Sequence, residues 1–185
     1  MLPIQAKPNF DVSYKSTVID IPNALTKEDA AVLIEFATSS NSGLHRRGSK
    51  TYGVDAEFST CLIPSDYQIY KILDPIWEQY TKILHVPHSF IEQYELKMYS
   101  VGDSFGFHQD NRGSIKHNIM RKSNLIVQLT DDSDYDGGDL IVGNYTCPRQ
   151  FGTAIGFPSY LLHCVTPITK GTRISLIGHA WGPLY

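Results

Sequence analysis

In the stretch FGFHQDN, residues 105–111, a histidine and an aspartate stand two apart, His108 and Asp110. An offset of two points both side chains to one face of an extended chain, so a chelating pair can form locally. Alone, such a pair reads as readily as a surface contact in a chain with seven histidines. A third donor is His163 in YLLHCVTP, on another predicted strand 55 residues later. Two imidazoles and one carboxylate on one face of an octahedral ion leave three positions open for outside ligands.

Ten residues beyond His163, the stretch KGTRISL places Arg173 and Ser175 on one strand face. A guanidinium with a hydroxyl beside it can hold a carboxylate inside a barrel. A buried cation needs an anion, and the sequence provides no obvious partner for this one; a dicarboxylate ligand would. The remaining histidines read as non-ligands. Pro87 spoils helical spacing between His85 and His88, and nothing converges on His45, His117 or His179. Asp132, Asp134 and Asp136 imitate the start of an EF-hand loop, but the twelfth position is Gly143, so a polar turn is the better account. His45, Arg46, Arg47 and Lys50, with Arg121 and Lys122 later, read by default as solvated faces. Cys164, next to His163, falls on the opposite strand face and reads as packing.

These residues must be carried by strands. From about residue 88 the chain is a series of short runs rich in β-branched and aromatic residues: FIEQYELKMYS, NLIVQL, GDLIVG, GTAIGF, LLHCVTPI and RISLIGHAW. Their spacing leaves no room for intervening helices, which implies antiparallel pairing in a barrel or sandwich. Upstream, Thr26 and Asp29 open an amphipathic helix over 26–40, and a second begins at Ser65 with Gln68 three residues on, in a capping-box arrangement. Its apolar stripe runs from Ile69 to Leu84; Pro75 kinks it or lets Asp74 cap a fresh helix. Residues 40–60 read as a long polar loop.

The 185 residues fit a single domain, with 42% hydrophobic and 19% charged residues. A net charge of −3 gives no field that would gather nucleic acid. Cys61, Cys147 and Cys164 form no CxxC pair and read as reduced thiols. No run approaches the roughly 18 apolar residues of a membrane span, and the N-terminus lacks a leader pattern, so the chain reads as soluble and intracellular.

The order and spacing of MYSVGDSFGFHQDN, SNLIVQLTDDSDYDGGDLIV and GTAIGFPSYLLHCVTPITKGTRISLIGHAW, from about 94 to 183, resemble the Fe(II)- and 2-oxoglutarate-dependent dioxygenases, closest to their prolyl 4-hydroxylase-like, PKHD-type branch. The resemblance implies a mainly β fold, a double-stranded β-helix or cupin-like jelly roll over 91–185, with the helical region of 1–90 supporting its major sheet. It implies His108, Asp110 and His163 as iron ligands and Arg173 as partner of the distal carboxylate of 2-oxoglutarate, with Ser175 as helper. Tyr99 matches the tyrosine of the YxxG element, where it reaches cosubstrate or substrate. Gln128 stands where some members carry tyrosine, and the tryptophan after the arginine arrives only at Trp181. The implied chemistry is hydroxylation of an unactivated C–H bond with O2, with decarboxylation of 2-oxoglutarate to succinate and ascorbate in a supporting role. The implied substrate is a prolyl residue of a protein or peptide. The alternatives are a free amino acid, nucleobase or other small molecule, or a jelly-roll binding module without turnover.

Overall fold

The computed structural model describes residues 17–39, 43–51, 54–86 and 88–184; the N-terminal stretch, the tip at 40–42 and the Lys50 side chain lie outside them. In chain order the elements begin with β1 (Ile19–Ile21), α1 (Lys27–Thr38), β2 (His45–Thr51), β3 (Val54–Leu62) and α2 (Ile69–Leu84). Then come β4 (Phe90–Ile91), β5 (Glu95–Tyr99), β6 (Ser104–His108), β7 (Gly113–Ser114) and β8 (Ile119–Gln128). The last third holds β9 (Tyr135–Gly137), β10 (Leu140–Val142), β11 (Tyr145–Thr146), β12 (Ala154–Pro158), β13 (His163–Val165), β14 (Ile168–Gly171) and β15 (Arg173–Pro183).

One curled antiparallel sheet runs β1-β12-β8-β15-β5-β3-β6-β13-β10-β11, and β9 with β14 forms a separate two-stranded ribbon. The helices cover one face of the sheet; the other face closes on itself. Strand β8 shows why. Its last six residues, Ser123 to Gln128, are all buried, because both faces of the strand are covered. Leu125 and Val127 pack toward the helices with Leu33, Leu73 and Trp77. Ile126 faces the interior with Phe58, Tyr99, Phe105, Phe157 and Ile177.

Helix α1 starts as its sequence requires: the Asp29 backbone N–H donates to the Thr26 hydroxyl oxygen at 3.1 Å. Helix α2 departs from expectation at its start. Gln68 occupies the cap position in helical conformation with no side-chain cap bond, so Ser65 and Gln68 form no capping box. The helix runs through Pro75 without restarting at Asp74. Its packing face is Ile69, Leu73, Ile76, Trp77 and Tyr80, whereas Ile83 turns half to solvent.

Residues 40–60 correct the expectation of a long loop. Strands β2 and β3 pair from His45 opposite Thr60 to Thr51 opposite Val54, forming a hairpin. Strand β3 alternates, with Ala56, Phe58 and Thr60 buried, and β2 lies outside it with residues 45–48 exposed. An outer strand with no apolar face gives a period-2 reading nothing to detect. Among the described residues no helix is long and apolar enough to cross a membrane. The three cysteines are free and buried.

The helix layer is seated by two glycines. Gly156 on β12 and Gly178 on β15 both lie opposite Leu125 on β8, making a row across three strands. A methyl group at Gly156 would overlap the Tyr80 ring, and one at Gly178 would strike Tyr94 and crowd Trp77. The Trp77 indole N–H donates to the Tyr94 hydroxyl at 2.8 Å, fixing both rings over this trough. Gly178→Ala is expected to destabilise the protein by about 1–3 kcal/mol through overpacking. Urea unfolding checks it, and an unchanged midpoint would place the rings elsewhere.

Candidate metal centre

Strand β6 pairs with β13 so that His108 stands directly opposite His163, with ring centroids 4.2 Å apart. Nδ1 of His108 lies 2.8 Å from the Gly106 carbonyl oxygen, and Nδ1 of His163 lies 2.9 Å from that of Leu161. A carbonyl only accepts, so each Nδ1 carries the proton and each Nε2 keeps its lone pair. Burial, then the neighbouring His163, lowers the His108 pKa to about 4, which keeps that ring neutral.

Asp110 arrives by a different route from the one its spacing suggests. Strand β6 ends at His108, and Asp110 is placed by the loop beyond it. Its N–H donates to the Ser159 carbonyl at 2.9 Å, turning the carboxylate toward the imidazoles. One oxygen lies 3.7 Å from His108 Nε2 and the other 3.3 Å from His163 Nε2. Burial opposes ionisation, but charged neighbours, the Lys97 ammonium among them, hold this carboxyl well below the usual carboxylate range. All three donor atoms lie within 4.8 Å of one another. Lone pairs converging at this distance repel unless a cation sits between them, so the donor set fits a metal ion.

Behind the carboxylate stands a polar relay absent from the sequence reading. The Asn124 side-chain N–H donates to Asp110 Oδ2 at 3.1 Å. The Asn124 carbonyl oxygen accepts from the Ser159 hydroxyl at 2.9 Å and from His179 Nδ1 at 2.9 Å. Burial lowers the His179 pKa to about 3, so the ring is neutral and its Nδ1 is the donor. The available signal was alternation: Asn124, Ile126 and Gln128 share the inward face of β8, as Arg173, Ser175, Ile177 and His179 share that of β15.

A narrow cavity leads inward from the histidines, past Tyr99, Ile126, Leu140, Val165 and Ile177, to Arg173 and Ser175. Arg173 is 1% exposed. Its guanidinium donates to the Gln128 carbonyl oxygen at 3.0 Å and, at 3.4 Å, to the Ser175 hydroxyl; it lies 5.6 Å from the Tyr99 ring centroid. The Gln128 amide N–H is held by the Pro148 carbonyl at 3.1 Å, which aims its oxygen at the arginine. The Arg173 Nε–H has no hydrogen-bond partner, and among the described residues no carboxylate pairs with this cation. A buried guanidinium with neutral neighbours and an idle donor has room in its bonding for a further acceptor.

Outward, His108 and Asp110 open into a cleft of about 470 Å³, walled on one side by the β2–β3 hairpin through Arg47 and Phe58. Arg46, on the opposite face of β2, ties that hairpin to the β5–β6 turn through a two-pronged ion pair with Asp103. The turn itself closes through the Asp103 N–H to the Ser100 carbonyl at 2.9 Å, with Gly102 at a φ of 89° that favours glycine. The other singled-out histidines lie elsewhere. His88 bonds Thr81 at 2.8 Å, His85 caps α2, and His45 bonds the Gly43 carbonyl at 3.0 Å.

Residues 94–181 match the family model described as the 2OG-Fe(II) oxygenase superfamily. A PKHD-type hydroxylase of Synechococcus sp. (strain CC9902) is 36% identical over 113 residues, covering 58% of this chain and 48% of the relative. The PKHD-type hydroxylase YbiX of Escherichia coli is 34% identical over 84 residues, covering 42% and 37%. The chain thus spans about half the length, or less, of these curated relatives. Among solved structures, the viral collagen prolyl hydroxylase of Paramecium Bursaria Chlorella virus-1 superposes with a TM-score of 0.71 at 16% identity, over 90% of this chain and 96% of that one. A Pseudomonas putida prolyl-4-hydroxylase gives 0.65 at 16% identity, over 89% and 91%. At such identities the likeness is one of fold. It matches the double-stranded β-helix expected from the sequence.

The Asp103 clamp makes stability depend on pH. Burial pushes its carboxyl up, but Arg46 and the Ser100 N–H, 2.8 Å away, outweigh it and hold the pKa below the usual value. A depressed folded pKa contributes stability above the unfolded pKa, and that contribution is lost as the pH falls through the folded value. Asp103→Asn should cost about 1–2 kcal/mol at neutral pH, an amount already reduced because the Arg46 side is half exposed. In urea titrations the gap to wild type should be full above about pH 5 and shrink below about pH 4. A gap constant across that range would remove the ion pair as its cause.

Proposed function

From a chain that belongs to the 2OG-Fe(II) oxygenase superfamily, we infer a PKHD-type hydroxylase that inserts oxygen into an unactivated C–H bond, with a prolyl residue of a protein or peptide as substrate. The observation that carries this reading is that three converging lone-pair donors and a buried guanidinium, with no carboxylate partner among the described residues, line one cavity. The prolyl assignment draws on the relatives, several of which are named prolyl hydroxylases. The 185 residues act as one catalytic unit, with α1 and α2 supporting the sheet.

In this reading His108 Nε2, His163 Nε2 and Asp110 hold Fe(II). When bound, Fe(II) and 2-oxoglutarate supply, with O2, the oxidising chemistry that releases succinate and CO2 and hydroxylates the substrate. The chain's own residues bind, orient and exclude. Arg173 receives the distal carboxylate on a fork whose direction is fixed by Gln128, and Ser175 adds a hydroxyl beside it. Tyr99 packs along the guanidinium and the Phe58 ring, shaping the wall. Ile126, Leu140, Val165 and Ile177 keep the cavity dry, which strengthens each charge interaction within it. The cavity measures about 20 Å³ in this structure, so a five-carbon diacid enters by displacing side chains. Asn124 and the Gly106 and Leu161 carbonyls fix the ligands from behind.

Anaerobic titration of the Fe(II)-loaded protein with 2-oxoglutarate is expected to raise a visible metal-to-ligand charge-transfer band; folded, metal-loaded protein without the band would sink the reading. His108→Ala and Asp110→Ala should each abolish succinate formation while the far-ultraviolet circular dichroism stays unchanged. Arg173→Gln should raise the 2-oxoglutarate concentration for half-saturation about 10–100-fold, the loss of one charge-assisted pair. Asn124→Ala should weaken Fe(II) affinity about tenfold or more. Calorimetric metal titration reads this directly, and unchanged affinity would reduce Asn124 to packing.

A further inference from the structure

One enclosed cation is left over once the metal ligands and the Arg173 fork have been assigned. Lys97 sits on β5 between Glu95 and Tyr99, and strand alternation puts all three on one face. It stands opposite Ser175 on β15 and Thr60 on β3. Tyr99 lines only the inner cavity and Glu95 only the outer cleft, whereas Lys97 lines both, as do Phe105 and the metal ligands His108 and Asp110. The lysine therefore lies at the level of the metal ligands, where a group held in the outer cleft comes nearest to them.

Its surroundings balance the charge without bonding it. The side chain is 13% exposed, and its ammonium rests over the rings of Phe58 and Phe105, 4.9 and 5.2 Å from their centroids. The Phe105 ring stacks in turn on the His108 imidazole, with centroids 3.7 Å apart. An oxygen of the Glu95 carboxylate is 3.7 Å from the ammonium, close enough to offset its charge and too far for a hydrogen bond. Glu95 is kept there by the Thr60 hydroxyl, which donates to its other oxygen at 2.5 Å. Among the described residues no hydrogen bond joins the Lys97 ammonium to the protein, so its N–H donors stand idle beside two aromatic faces. A donor enclosed in this way gains by meeting an acceptor, and the outer cleft is where one can arrive.

The pairing with Glu95 also decides which acceptor suits it. A carboxylate brought to Lys97 would meet the Glu95 charge as well. An amide carbonyl oxygen takes the hydrogen bond without that repulsion.

We propose that Lys97 selects and positions the substrate by donating a hydrogen bond to one of its amide carbonyl oxygens, which favours a residue within a polypeptide over a free amino acid. The proposal rests on the hydroxylase reading and adds to it the residue that orients the substrate beside the metal ligands. It is tested with the full chain loaded with Fe(II) and 2-oxoglutarate in the absence of oxygen. The charge-transfer band is recorded first for each protein, so that failure of the hydroxylase reading shows by itself. N-acetyl-L-proline methylamide, which carries amide carbonyls on both sides, and free L-proline, which carries none, are then titrated, with dissociation constants read by ligand-observed NMR. The wild type is expected to bind the methylamide more tightly than proline. Lys97→Met, which keeps an unbranched stem over the two rings and removes the donors, should weaken the methylamide about tenfold or more with the band in place. Lys97→Arg, which keeps the donors, should restore most of that loss. Methylamide affinity that is unmoved in Lys97→Met, or absent from the wild type with its band present, overturns the proposal. Equal weakening by methionine and arginine overturns it by marking a packing role, and loss of the band in Lys97→Met overturns it by assigning the lysine to the cosubstrate. Proline binding as tightly as the methylamide overturns it in favour of a free amino acid.

Discussion

The pairing of β6 with β13 in the register that sets His108 opposite His163 governs everything built around it. Side chains alternate along a strand, so a slip of one residue would send one imidazole to the outer face. The register is held at several points. Val142 on β10 lies opposite His163 on the far side of β13, and the Gly143 N–H reaches the Leu162 carbonyl at 2.7 Å. At the other end, the turn leading into β6 exchanges two backbone bonds of 2.9 Å with Ile168, just past β13. The aspartate then needs only a loop of two residues, anchored on Ser159, to complete the trio.

The same sheet solves two opposing electrostatic problems. A buried guanidinium is costly, and Arg173 is kept in place by neutral acceptors that orient it without satisfying it. No carboxylate among the described residues cancels it, so its idle donor stays available. At the surface the opposite device is used: Arg46 is matched by Asp103, and the hairpin is thereby fastened over the cleft. One arginine keeps a donor idle and the other is matched by a carboxylate, and only the second braces one element against another.

What the sequence made legible follows from this. His108, His163 and Arg173 stand out because polar residues at fixed spacing interrupt otherwise apolar strands, and their elements are short enough to locate. Asn124 and Gln128 were harder. They sit within a strand buried on both faces, where an inward polar residue acquires meaning only once its partner across the barrel is known. His179 was set aside as a non-ligand, and it touches no metal-binding position directly; it acts through Asn124. Trp181 falls two residues beyond it and serves Glu92 instead. The hairpin of residues 45–62 escaped notice because β2 is polar throughout and its only signal lay in the alternation of Ala56, Phe58 and Thr60. Capping patterns divide likewise: Thr26 caps its helix, whereas the equally suggestive Ser65 does not.

The glycine row beneath α2 has a consequence for the history of the fold. Gly156 and Gly178 admit the rings of Tyr80 and Tyr94 so closely that neither side of the contact can change by itself. An alanine in the sheet loses its cost only when the ring above it has shrunk, and a smaller ring leaves a void until the sheet has grown to meet it. A change on one side of this contact therefore calls for a matching change on the other, and the two sides are coupled through shape alone. The inward face of the same strands is coupled by hydrogen bonds instead, Asn124 with His179 and Gln128 with Arg173 across β8 and β15, so each side of the sheet holds its own kind of paired constraint.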